Sequence, residues 1–276
     1  MNGERRGPGF WILTAFFVLF VLFLYGPLTT IFILSFQGPN GGLTFPMNGS
    51  SFHWFNNLLF EQQAVGDFGG AFSRSLQLGL MSMAATVVVS LLAGLAFRRR
   101  FLGSGPLFYL AIASLIVPSI LISLGIGLAF QVMGLEPAWF SSGFGAHLTW
   151  TLPFGLLIMF AVFNRFNPAY EEAARDLGAT PWQTFAHVVL PIILPSLVGV
   201  GLFGFTLSYD EFARTLMTSG TFNTLPLEIY GMTTNVTTPV LYALGTVTTL
   251  FSMAVIMIAL AAIAVLRLRR ARKLAG

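Results

Sequence analysis

Six stretches of the chain stay apolar for about the length a helix needs to cross a bilayer, roughly 20 residues. They cover residues 10–36, 75–97, 106–130, 144–163, 192–217 and 240–266. Only Gly26-Pro27 interrupts the first stretch. That stretch is too long for a signal peptide and no small-residue cleavage pattern follows it, so it reads as an uncleaved first helix. Pro118 and Pro153 fall inside predicted spans and predict kinks there. The pattern as a whole predicts an all-α membrane protein of about six transmembrane helices, forming one domain over residues 1–276.

The longest interval between predicted spans on the side that carries most of the basic residues, 164–191, carries two helix signatures back to back. Asn167 suits an N-cap and Pro168 a first helical position. Tyr170, Ala173, Ala174 and Leu177 recur at i, i+3, i+4 and i+7, which predicts one apolar stripe. Glu171 and Glu172 lie in the first turn, where the helix dipole favours acids, and Glu171 is four residues before Arg175. Gly178 suits the residue just past the helix end. Thr180, Pro181 and Gln183 then spell a second start with a capping box. Trp182, Phe185, Ala186, Val189 and Leu190 form its apolar stripe. Pro191 and Pro195 lead into the fifth span. Two short amphipathic helices joined at a glycine make a rigid knob suited to a groove on another protein.

Charge gives the chain an orientation. Only 9% of residues are charged and 55% are hydrophobic, with a mean hydropathy of +0.80. A soluble domain carries about 25% charged residues, so an ordinary water-soluble enzyme is excluded. Twelve of the 14 basic residues fall on one side of the predicted spans: Arg5, Arg6, Arg98, Arg99, Arg100, Arg165, Arg175, Arg267, Arg269, Arg270, Arg272 and Lys273. By the positive-inside rule that side, with both termini, is cytoplasmic. The net charge of +4 is therefore topological, and no nucleic-acid partner is expected. Glu61, Asp67, Glu136, Asp210, Glu211 and Glu228 lie on or near the outer side, where they would attract cations.

Other chemistry is sparse. With no Cys there are no disulfides, thiolate metal sites or Cys nucleophiles. His53, His147 and His187 have no metal-ligand spacing, and no P-loop occurs. Gly199-Val-Gly201-Leu-Phe-Gly204 matches a dinucleotide pattern but lies in an apolar helix with no strand before it, so close helix packing is the better account.

Glu172-Ala-Ala174, Gly178 and the ending Val188-Val-Leu-Pro191 resemble the EAA loop of ATP-binding cassette importer permeases. The pattern there is Glu-Ala-Ala, three residues, Gly, nine residues, then Ile-x-Leu-Pro, and Val188 is the one departure. The resemblance implies a type I importer permease (MetI-like) fold in the bacterial inner membrane. It implies that Glu171, Glu172, Ala173, Ala174, Gly178, Leu190 and Pro191 couple the chain to a dimer of cytoplasmic ATPase subunits. Those partners would use ATP and Mg, and this chain would bind no cofactor. A second permease subunit and a periplasmic or lipid-anchored solute-binding protein complete the implied assembly.

Leu207-Ser-Tyr-Asp-Glu-Phe212, Thr218-Ser-Gly220 and Thr224-Leu-Pro-Leu-Glu-Ile-Tyr230 are similar to the second permease subunit of polyamine (spermidine/putrescine) importers. Related subfamilies carry opines, iron(III) or other small solutes. Ionisable residues inside a span are functional candidates by default. Asp210 and Glu211 would meet ammonium groups, and Tyr209 would offer a cation–π face. Arg214, three and four residues further on, offers a competing local ion pair. An intramembrane enzyme is the contrasting reading, but adjacent acids point about 100° apart on a helix, which is poor acid/base geometry. Neither an enzyme nor a structural channel accounts for the EAA pattern.

Overall fold

The structure, a computed structural model, describes residues 7–60, 66–99, 101–235 and 238–275. Of the charges singled out above, Arg5, Arg6, Glu61 and Arg100 lie outside the described residues. Almost all the regular structure is helical, with one isolated antiparallel bridge between Gln37 and Ser50. Eleven α-helices follow one another among the described residues. They are α1 (Pro8–Leu34), α2 (His53–Phe60), α3 (Phe68–Phe97), α4 (Ser104–Ala113), α5 (Ser119–Val132), α6 (Phe144–Asn164), α7 (Ala169–Asp176), α8 (Pro181–Thr184), α9 (Leu190–Tyr209), α10 (Leu225–Asn235) and α11 (Val240–Ala275). Wider π turns extend α6 at its start (Trp139–Gly143) and join α8 to α9 (Phe185–Val189).

Among the described residues, five helical runs are long and apolar enough to cross a membrane: Pro8–Leu34, Phe68–Phe97, Trp139–Asn164, Pro181–Tyr209 and Val240–Ile258. The third expected span, 106–130, is instead two short apolar helices, α4 and α5, with the break before Pro118. Proline has no N–H to donate and pushes its predecessor out of the helical region. Pro153, by contrast, lies within an unbroken α6. A proline leaves the carbonyl four residues earlier without its helical donor. Here that carbonyl is Thr149 O, and Ser114 Oγ, at the α4–α5 break, donates to it at 2.9 Å. The fifth expected span is also shorter than 192–217: α9 ends at Tyr209, with Asp210 at its C-cap.

The chain divides into two compact units, one from the segments up to Asp67 and Gly231–Phe251, the other from Phe68–Tyr230 and Ser252 onward. In the first, α1 is apolar all round, and Trp11, Phe16, Phe17 and Phe23 are exposed to the surroundings, as suits a lipid-facing helix. The following loop folds around the buried Gln37, whose side chain donates to Gly42 O (3.1 Å) and accepts from Asn48 N (2.7 Å). Phe36, Phe52 and Phe55 pack beside it. Tyr242 Oη donates to Leu43 O at 2.6 Å and fastens α11 to the same loop.

In the second unit α3, α6 and α9 pack on one another. Met159, Phe163, Val189, Ile193, Leu197 and Val200 form the core cluster, with Val87, Leu91 and Leu95 of α3 against it. Apart from Phe68 and Leu78, the buried residues of α3 form a stripe of small side chains: Ala71, Ser75, Gly79, Ser82, Thr86, Ser90 and Gly94. Lipid supplies no hydrophobic drive between helices, so close approach through small residues does that work. A Cβ on Gly94 would lie 2.9 Å from the Phe163 ring, and one on Gly204 3.2 Å from Thr86 Cβ. Gly201 and Gly204 of the dinucleotide-like pattern are thus helix-packing glycines.

Candidate functional site

The loop between α6 and α9 forms as its capping residues dictate. Asn167 Oδ1 accepts from Ala169 N (3.1 Å) and α7 follows. The helix closes where Gly178 N donates to Arg175 O (2.8 Å) and Ala179 N to Ala174 O (3.0 Å). Gly178 has φ +84°, the left-handed conformation that glycine adopts without strain. Thr180 and Gln183 then make both capping-box bonds, Gln183 N to Thr180 Oγ1 (3.3 Å) and Thr180 N to Gln183 Oε1 (2.8 Å). Two opposed helix ends therefore meet at one glycine.

The knob presents apolar side chains outward. Tyr170, Leu177 and Trp182 are 54, 90 and 71% exposed. Ala173 is exposed and Ala174 half-buried. Beyond the knob, Val189 is buried and Leu190 packs against the core, so this end of the loop is anchored just before Pro191 enters α9. Glu172 is exposed and makes no side-chain hydrogen bond or ion pair among the described residues. Glu171 is different. Arg98, just past the end of α3, donates to both of its carboxylate oxygens at 2.8 and 2.7 Å. The Arg98 guanidinium also lies 5.3 Å from the ring centroids of both Phe163 and Phe166. The expected i,i+4 partner, Arg175, stands further off at 3.9 Å. The Arg98 hydrogen bonds hold the Glu171 carboxyl below its ordinary value.

At the other end of α9 the three candidate pathway residues have separate environments. Tyr209 is buried, its ring stacked on Phe205 at 5.6 Å, so packing covers the ring face expected to meet a cation. Glu211 Oε1 accepts from Arg214 N (3.0 Å), and its other oxygen is 3.9 Å from the Arg214 guanidinium. Asp210 is exposed at the helix end. Arg214 is fully buried. Its Nη1 donates to Ser119 Oγ (2.7 Å), its Nε to Thr149 Oγ1 (3.1 Å), and its guanidinium lies 4.4 Å from the Trp150 ring centroid.

A polar seam continues from there through the helix core. His147 bonds to Ser208 Oγ (2.7 Å) and Thr215 Oγ1 (2.9 Å), Ser208 Oγ donates to Ser82 Oγ (3.1 Å), and Thr86 Oγ1 to Thr151 Oγ1 (2.8 Å). Among the described residues no three His, Asp or Glu side chains are grouped to hold a metal ion.

Residues 86–272 match the family described as the binding-protein-dependent transport system inner membrane component. The chain belongs to this family. It is a multi-pass permease subunit of an ATP-binding cassette importer in the inner membrane, and ATP is hydrolysed by a separate subunit. Similar proteins include the spermidine/putrescine transport system permease protein PotC of Haemophilus influenzae, 29% identical over 254 residues, 90% of this chain and 95% of that one. PotC of Escherichia coli (strain K12) is 27% identical, covering 85% of this chain and 87% of its own. The putrescine transport system permease protein PotI of the same strain is 27% identical over 81% and 80%.

Two solved structures give the same fold. One is a bacterial transporter involved in import of the acidic polysaccharide alginate, with TM-score 0.69 at 17% identity over 92% of this chain and 95% of that one. The other is the methionine transporter MetNI in inward-facing form, with TM-score 0.57 at 15% identity over 75% and 98%. For a permease of this fold, the residues that sequence reasoning passed over are Arg98 and the polar seam. The seam had a readable signal, the Ser and Thr positions spaced along one face of α3. Arg98 had none, since 73 residues separate it from Glu171.

Proposed function

We propose that this permease carries a polyamine of the spermidine or putrescine type, and that the loop 164–191 is its coupling element. Glu172, with Ala173, Ala174 and the exposed Tyr170, Leu177 and Trp182, docks in a cleft of a cytoplasmic ATPase dimer that uses ATP and Mg. Gly178 sets the angle between the two short helices, and Leu190 and Pro191 anchor the loop to α9. Glu171 acts from within, through Arg98. The observation that carries this reading is an exposed apolar knob with a left-handed glycine at its apex and a built attachment to α3. ATP-driven closure of the partner dimer would move the knob and so rock α3, α6 and α9 between inward- and outward-open arrangements.

The substrate class is supported by the relatives, named for spermidine and putrescine, and by charge. Glu211 is neutralised by Arg214, which leaves Asp210 as the exposed carboxylate at the end of α9 to meet an ammonium group. Tyr209 supports that end of α9 from the core. A second, non-identical permease subunit completes the pathway, and a periplasmic or lipid-anchored binding protein delivers the solute.

The test is ATPase activity of the reconstituted complex with its binding protein, given spermidine, putrescine or a non-cationic control. Polyamine stimulation that is lost in Glu172→Ala and in Asp210→Asn is expected. Stimulation by another solute alone would discard the polyamine. Full coupling in Glu172→Ala would discard the docking role of that glutamate.

A further inference from the structure

Beside the Arg98–Glu171 pair lies a polar cavity of about 350 Å³, lined by Leu95, Arg98, Arg99, Glu171 and Arg175. Three guanidiniums face one carboxylate, and that carboxylate is already committed to Arg98 at both oxygens. The Arg99 guanidinium makes no hydrogen bond or ion pair among the described residues, and that of Arg175 has only the 3.9 Å approach to Glu171. Two cations are thus held at one cavity without a full counter-charge. The cavity sits where the apolar α3 ends, with Leu95 in its lining.

We propose that this cavity binds a phosphate group, carried by an anionic phospholipid headgroup, with Arg99 and Arg175 as its clamps. Guanidiniums pair with phosphate oxygens through parallel N–H donors. Basic pockets at the cytoplasmic ends of membrane helices suit such headgroups. A phosphate bridging Arg99, after α3, and Arg175, on α7, adds a second strap alongside the Arg98–Glu171 pair. The inner-leaflet assignment rests on the cytoplasmic placement of the loop proposed above. The binding measurement uses no transport readout, so the two readings fail separately.

The test is native mass spectrometry of the full-length chain purified from nanodiscs of phosphatidylcholine with 30% phosphatidylglycerol. One retained phosphatidylglycerol is expected in preference to phosphatidylcholine. Arg99→Gln and Arg175→Gln should each lower its apparent affinity about fivefold, and the double variant on the order of twentyfold. Arg99→Lys, which keeps the charge and loses the fork, should recover part of the loss. Arg165→Gln, a cytoplasmic charge outside the cavity, should change nothing. An equal effect of Arg165→Gln, or unaltered lipid retention in the double variant, overturns the site. Soluble glycerol phosphate binding as tightly as the lipid in detergent overturns the lipid assignment.

Discussion

Arg98 grips both carboxylate oxygens of Glu171, at 2.8 and 2.7 Å, while its guanidinium lies near the rings of Phe163 and Phe166. The pair joins the end of α3 to the first turn of α7, across 73 residues of sequence. Its side chains are 24 and 12% exposed, so water screens it only in part. A hydrogen bond to a charged group is worth about 1.5–3 kcal/mol. Glu171→Ala should therefore loosen α7 and speed amide exchange over 169–178 by about tenfold or more, with the remainder of α6 and α9 unaffected. Exchange rates equal to those of the parent chain would mean that the loop is held by its caps alone.

The same pair sets a pH response with a definite sign. The Glu171 carboxyl is held below its ordinary value of 4.5 because Arg98 stabilises the charged form. The folded chain thus binds the proton less readily than the unfolded one. The stabilisation is complete above pH 4.5 and drains away as pH falls through the lower, folded value. Acidification from pH 7 to 5 should leave exchange at α7 unchanged relative to the intrinsic rate. Further acidification should raise it in the parent chain and have no such step in Glu171→Gln.

Gly178 is constrained by backbone conformation, not by space. Its φ is +84°, and a Cβ there would meet nothing within 4 Å. A left-handed residue with a Cβ costs roughly 1–2 kcal/mol. Gly178→Ala should weaken the α7–α8 angle by that amount, and Gly178→Asn, which tolerates the left-handed region better, by less. Co-purification of the ATPase subunit should fall in the same order. Equal retention in both variants would separate the knob's angle from docking.

Hydropathy made the long helices legible because length and apolarity alone decide α1, α3, α6, α9 and α11. The two short loop helices were legible too, since Thr180, Gln183 and Gly178 signal by local chemistry. Where hydropathy misled, a polar detail outweighed an apolar average. Residues 106–130 read as one span although Pro118 has no N–H to continue it. Hydropathy alone carries the fifth span to Met217, although the helix ends at Tyr209. The Arg98–Glu171 and Arg214–Ser119 contacts were not legible. Each joins side chains far apart in sequence, and only the packing of α3, α5, α6 and the turn after α9 brings them together.

Arg214 is the largest fully buried side chain among the described residues. It is fully buried and ties three segments together: Ser119 at the start of α5, Thr149 and Trp150 on α6, and Glu211 on its own turn. Burying a guanidinium is unfavourable unless its donors are used, and breaking such a pair from one side costs about 3–5 kcal/mol. Arg214→Met keeps the bulk but takes the guanidinium donors from the Ser119 and Thr149 hydroxyls and the counter-charge from Glu211, leaving Thr149 its bond to Ala146 O and Glu211 its bond from the backbone N–H of residue 214. It should lower the unfolding temperature in detergent markedly and loosen α5 from α6. Arg214→Lys keeps the charge, yet a single ammonium cannot serve Ser119 and Thr149 and stack on Trp150 together, so it should recover only part of the loss. Ser119→Ala removes one bond and should cost about 1 kcal/mol. If Arg214→Met unfolds with the parent chain while Ser119→Ala does not, the charge matters less than the α5 contact, and the tie belongs to Ser119 through another partner.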